Sequence, residues 1–187
     1  MVTFIDLWAP ILLSAVIAFV ASSIIWMATP IHKKDYKNPG DKEAPLLDAI
    51  RAASLRPGLY FVPWCQGKPK DEMARLMKSE HWALISILPG APSMGRMLGL
   101  WFLHLLIASA LVALALSFSS ITAGAPYMSV FRITGVIALL AHASGAAPAC
   151  IWNGQPWSSL PGRIFDGVVY ALLTAGTFAW LWPNAAA

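Results

Sequence analysis

MLGLWFLHLLIASALVALALSFSSITAGAPYMSVFRITGVIALLAHASGAAPAC, residues 97–150, decides the architecture of this chain. Between Arg96 and Arg132 there is no Asp, Glu, Lys or Arg. A helix needs about 20 apolar residues to cross a hydrocarbon core of roughly 30 Å, and this run is long enough to cross twice. Ser119, Ser120, Thr122, Gly124 and Pro126 break it with turn chemistry. The expected structure is a transmembrane hairpin, 98–118 and 128–149, turning at 119–127.

Working outward, the chain has a further apolar run on each side. Toward the N-terminus, Leu7–Ala28 is long enough to span, and residues 1–6 carry no Lys or Arg. A secretory signal needs a basic flank and a shorter apolar core, so a retained helix is expected. Ser14, Ala18 and Ser22 give it a small-residue stripe, and Thr29-Pro30 ends it. Toward the C-terminus, 151–163 reads as a Pro- and Gly-punctuated loop, and 164–182 as the last span. Gly167, Ala171, Ala175 and Ala179 recur at every fourth residue there, a helix-packing stripe that lets another backbone approach closely. Four spans result: 1–29 holds the first, 97–187 the other three, and 30–96 lies between.

Composition agrees. The chain is 58% hydrophobic and 12% charged, whereas soluble domains carry about a quarter charged residues. Several of the nine tryptophans fall near span ends, Trp8, Trp26, Trp101, Trp180 and Trp182 among them, as interfacial aromatic belts do. A net charge of +4 would suit nucleic acid, but eleven of the thirteen Lys and Arg residues lie in 30–96, beside a membrane. That placement points to anionic lipid and away from nucleic acid. It also sets orientation: with 30–96 and Arg163 in the cytoplasm, both termini lie outside. Cys65 and Cys150 then sit on the reducing side and form no disulfide framework.

Within 30–96, IHKKDYKNPGDKEAP is loop, and Leu46, Leu47, Ile50 and Ala53 space a helix over 45–54. LYFVPW (59–64) and WALISIL (82–88) favour strands. Pro69, followed by Asp71 and Glu72, opens a second helix. The fold class is therefore an all-α integral membrane protein: four transmembrane helices with a small cytoplasmic α+β insertion between helices 1 and 2.

Pro30-Ile31-His32 with Asp35-Tyr36, Pro57-Gly58-Leu59-Tyr60, Phe131-Arg132, Phe165-Asp166-Gly167 and the run Tyr170–Phe178 resemble a functionally uncharacterised family of small four-helix bacterial inner-membrane proteins. The resemblance covers most of the chain. It implies that fold and the bacterial inner membrane, and since none of these motifs is a catalytic signature it implies no reaction.

Chemistry-bearing residues are few. His104 and His142 each lie about seven residues from the cytoplasmic boundary, roughly 10 Å deep at 1.5 Å per residue. At matched depth on adjacent helices they could ligate a haem iron from both faces, or one could hold a (bacterio)chlorophyll magnesium; the alternative is interhelical hydrogen bonding. Asp166 can meet Arg163 at i, i+3. Asp6 and Arg132, both at the outer boundary, are a candidate interfacial charge pair. No nucleophile elbow, phosphate loop or zincin motif occurs, so catalysis and a metal site are not expected. The leading functional expectation is a non-catalytic accessory or assembly subunit of a larger membrane complex, whose partners are other membrane subunits. The alternative is a haem- or pigment-binding electron-transfer or photosynthetic subunit using His104 and His142.

Overall fold

A computed structural model describes residues 2–185. Three helical stretches are long and apolar enough to cross a membrane, Ile5–Ala28, Met94–Ser117 and Tyr127–Trp152, which makes this a membrane protein. The first is a short 3₁₀ turn leading into α1 (Trp8–Ala28), with Pro10 in the opening turn, where a missing N–H costs little. It stops at Thr29, whose extended backbone precedes Pro30.

The insertion follows as α2 (Glu43–Ala53), β1 (Gly58–Val62), α3 (Lys70–Leu76) and β2 (Ala83–Ile87). The expected helix–strand–helix–strand order is present, with one change of mechanism. Ser54, in the left-handed conformation at φ 48°, terminates α2, ahead of the Arg56-Pro57-Gly58 stop read from the sequence. The strands pair antiparallel, Tyr60 opposite Ile85 and Phe61 opposite Leu84. No residue of these four elements is buried.

α4 (Met94–Ser117) and α5 (Tyr127–Ala143) form the central hairpin. The third span departs from the expected continuous helix over 128–149. It breaks at Ser144-Gly145 and resumes as α6 (Ala146–Trp152). Pro148 explains the break, because its ring clashes with the carbonyl four residues earlier, that of Ser144, and donates no hydrogen bond to it. α7 (Leu160–Trp180) starts four residues before the expected 164, with Pro161 in its first turn, so the 151–163 loop is mostly structured. α7 is not one of the three apolar stretches; Arg163 and Asp166 occupy its first two turns.

The four long helices form a ring in which α1 packs on α4 and α7, and α5 packs on α4 and most extensively on α7. The two small-residue stripes make this possible. On α1, Ser14, Ala18 and Ser22 are buried, and Ser14 Oγ bonds Ser109 Oγ of α4 at 3.0 Å. On α7, Gly167, Ala171, Ala175 and Ala179 are all buried. Gly167 meets Ala143 of α5 so closely that a Cβ there would lie 2.7 Å from the Ala143 Cβ. Both stripes are therefore consumed inside the chain.

At the far end, Trp182 is buried and donates to the Thr122 carbonyl at 3.0 Å, while Gly124 N–H donates to the Pro183 carbonyl at 2.8 Å. Trp182 is thus core and does not belong to an interfacial belt, unlike the exposed Trp8 and Trp180. The tie needs Gly124, whose φ of 75° suits glycine.

Candidate functional site

The functional geometry lies at the opposite end, where α1 and α5 end and α4 and α7 begin. Past Thr29, hydrogen bonds from Lys33 N to Pro30 O and from Asp35 N to His32 O coil the chain into successive turns. These turns carry His32 back beneath the last turn of α1. Its ring stacks on Trp26 at 3.9 Å between centroids and 3° between planes. Gly162 lets it fit, since a Cβ there would sit 3.2 Å from the His32 Cε1.

His32 bridges two carboxylates. Nδ1 is 2.8 Å from Asp35 Oδ2, and Nε2 is 3.0 Å from Asp166 Oδ2. Trp26 Nε1 donates to the same Asp166 oxygen at 3.0 Å. His32 and Asp166 are each only 6% exposed. A ring that donates from both nitrogens must be an imidazolium. Burial pulls the His32 pKa down, but the two carboxylates outweigh it and leave the pKa above the ordinary histidine value. The net result is a buried Asp35–His32–Asp166 chain that ties the loop after α1 to the second turn of α7.

Against this cluster lies a cavity of about 610 Å³. α1 contributes Ser22, Ser23, Trp26 and Met27; α4 contributes Met94, Leu98 and Trp101; His142, Arg163, Asp166 and Tyr170 come from α5 and α7. Met27 and Met94 are 80% and 70% exposed and mark its mouth, whereas Tyr170 is 3% exposed at its floor. Trp101 Nε1 donates to Ser22 Oγ at 2.9 Å and its ring sits edge-on to Tyr170. Three of the lining residues carry a polar atom with no hydrogen-bond partner, Tyr170 Oη, His142 Nε2 and Arg163 Nε, but each of these atoms is fully buried in the wall and not open to the cavity.

The residues singled out from sequence divide. His142 lines this cavity, edge-on to Tyr170 at 5.8 Å. His104 does not; it is exposed and stacks on Trp101 at 5.3 Å. Asp166 does not pair with Arg163 as its spacing suggested, because Asp166 turns inward to His32 and Trp26, and Arg163 Nη2 donates to Gln155 Oε1 at 3.2 Å. Asp6 accepts from Thr3 N and Thr3 Oγ1, both at 2.8 Å. Arg132 is exposed, and among the described residues no ion pair joins it to Asp6. Among the described residues no group of three or more metal-binding side chains is assembled.

His32 and Tyr170 were legible only as residue types, since 134 residues separate His32 from the Asp166 it bonds. The one signal available was Asp166 itself, a carboxylate in an apolar run that must find a partner. Set beside protein-family models, curated proteins and solved structures, the chain matches none of them.

Proposed function

We propose that this chain is a four-pass inner-membrane protein, with 30–96 in the cytoplasm and both termini outside, that acts without catalysis as a holder of a lipid-soluble ligand. The single observation behind this is the cavity of about 610 Å³ where α1 and α5 end and α4 and α7 begin, walled mostly by apolar and aromatic side chains. The test is mild extraction followed by mass spectrometry of small molecules released on denaturation. A molecule retained by the natural protein and lost in Leu98→Trp, which fills the cavity, is the expected result. Identical small-molecule content in both proteins would overturn the reading.

A second reading, an accessory or assembly subunit of a larger membrane complex, draws on the insertion. A lone strand pair is marginal in water. This one leaves Leu59 and Phe61 64% and 46% exposed, and α2 leaves Leu46 and Leu47 uncovered. Both small-residue stripes are consumed internally, and this reading assigns the exposed apolar face of the insertion to a partner subunit. A protein that co-purifies with the full chain, and is lost on Phe61→Glu, is the outcome this reading expects.

The four-pass orientation has its own check. α7 packs in the bundle beside the three apolar stretches, and the basic residues lie in 30–96. Reporter fusions after Lys68 and after Ala187 are expected to report opposite sides of the membrane; same-side signals would sink the arrangement.

A further inference from the structure

We infer that α2 lies along the cytoplasmic surface of the membrane its own chain crosses, with Leu46, Leu47 and Ile50 facing into an anionic phospholipid leaflet. This rests on the four-pass orientation proposed above and takes α2 from the partner-subunit reading. The helix is two-sided. Leu46, Leu47, Ile50 and Ala53 share one side at helical spacing, while Asp48 and Arg51 pair with each other on the other at 3.0 Å. Among the described residues the extensive contacts of α2 are with the turn Gly40–Lys42 that leads into it. Every residue of the helix is exposed except Ile50, which is half-buried. The sheet has support that α2 lacks: β2 rests near the loop after α6, where a Cβ on Gly154 would lie 3.8 Å from the Leu84 Cβ.

The chain holds α2 close to the membrane. Asp35 is bonded to His32, and His32 to Asp166 of α7, so the segment after α1 is fastened to the end of the bundle. Residues 36–42 are all that separate Asp35 from the start of α2 at Glu43, a reach of at most about 30 Å when fully extended. A surface that is always within the length of a tether is met at high effective concentration, an advantage that no separate protein has.

Charge selects the kind of surface. Residues 30–96 hold eleven Lys and Arg against seven Asp and Glu, and the rest of the chain holds two of each, so the whole net charge of +4 lies in the insertion. Beside α2, Lys33, Lys34, Lys37, Lys42 and Arg56 are exposed and take part in no ion pair among the described residues. Of the neighbouring acids, Asp35 and Asp48 are already paired, which leaves Asp41 and Glu43. An apolar side flanked by free cations suits a leaflet of anionic lipid: the leucines enter the headgroup–acyl boundary to a depth of about 5–10 Å, and the lysines reach the phosphates above them.

The experiment uses the full chain in nanodiscs, with Cys65 and Cys150 replaced by serine and a nitroxide on either Leu47→Cys or Ala52→Cys, the latter on the far side of α2. Collision with oxygen, which partitions into lipid, is compared with collision with a water-soluble nickel chelate. In discs of mixed phosphatidylglycerol and phosphatidylcholine, the oxygen-to-nickel ratio is expected to be several-fold higher at Leu47 than at Ala52. Joint replacement of Lys33, Lys34 and Lys37 by glutamine should bring the Leu47 ratio down toward that of Ala52, as should discs of phosphatidylcholine alone, with thermal unfolding unchanged because α2 buries no residue. Aqueous readings at both positions would overturn the inference and return α2 to the partner-subunit reading. Shielding of Leu47 from both reagents would overturn it in favour of contact with protein, and an oxygen preference equal in the two lipids would overturn the anionic selectivity. The reporter fusions after Lys68 read the side of the membrane independently, so failure of the inference and failure of the orientation are separable.

Discussion

Asp166→Ala should destabilise the protein by about 3–5 kcal/mol in an SDS or thermal unfolding titration, the range for removing one partner of a buried ionic contact. The loss has two parts. His32 keeps Asp35 but loses the carboxylate on Nε2, and Trp26 Nε1 loses its acceptor. Asp166→Asn, which retains an acceptor for Trp26, should cost less. The difference between natural protein and Asp166→Ala should also depend on pH. The His32 pKa is raised in the folded state, so folding takes up a proton at pH values between the unfolded and folded pKa. The stabilisation is complete below the unfolded value of about 6.5 and is lost as pH rises through the raised folded value. The gap between the two proteins should therefore be widest at mildly acidic pH and narrow toward alkaline pH. A gap that grew with pH would mean that His32 is neutral in the folded protein.

Gly167→Ala is the second large effect expected. A Cβ at this position would lie 2.7 Å from the Ala143 Cβ, 2.9 Å from its Cα and 3.1 Å from its N, and two of these three atoms are backbone. The crossing of α5 and α7 cannot absorb the methyl by a rotamer change, so the helices must separate. Forcing atoms into a packed contact costs about 1–3 kcal/mol, and Gly167→Leu should abolish the fold. The control is Gly99→Ala in α4, where a Cβ meets nothing within 4 Å. That change should leave stability equal or slightly raised, because alanine favours helix. Equal tolerance at the two glycines would argue that α5 and α7 do not cross there. Gly135 on α5 differs, because a Cβ there would meet the Ala175 Cβ at 3.7 Å, an ordinary van der Waals contact, so Gly135→Ala should be tolerated.

The candidate site was legible in part. His142 is recognisable as a polar residue in an apolar helix, and it does line the cavity; His104, equally recognisable, does not. Hydropathy gives depth, and the two histidines share it, but depth says nothing about which way each side chain faces around its helix axis. That is set by the ring order of α1, α4, α5 and α7, which no local pattern encodes. His32 shows the complementary case: it lies in a charged, loop-forming stretch that reads as solvated, and becomes buried because Gly162 and Trp26 make room for it and Asp166 bonds it.

By itself the sequence determined the long apolar helices, the insertion with its two strands, and the small-residue stripes on α1 and α7, because each follows from short-range rules of helix length, alternation and spacing. Tertiary structure alone decided what those stripes pack against, where α5 breaks from α6, and that Asp166 turns from its neighbour Arg163 to His32. The reason is energetic and non-local. A carboxylate exposed at a helix start gains little from a nearby arginine, whereas one buried among four helix ends must be bonded by whatever donors the packing brings within 3 Å.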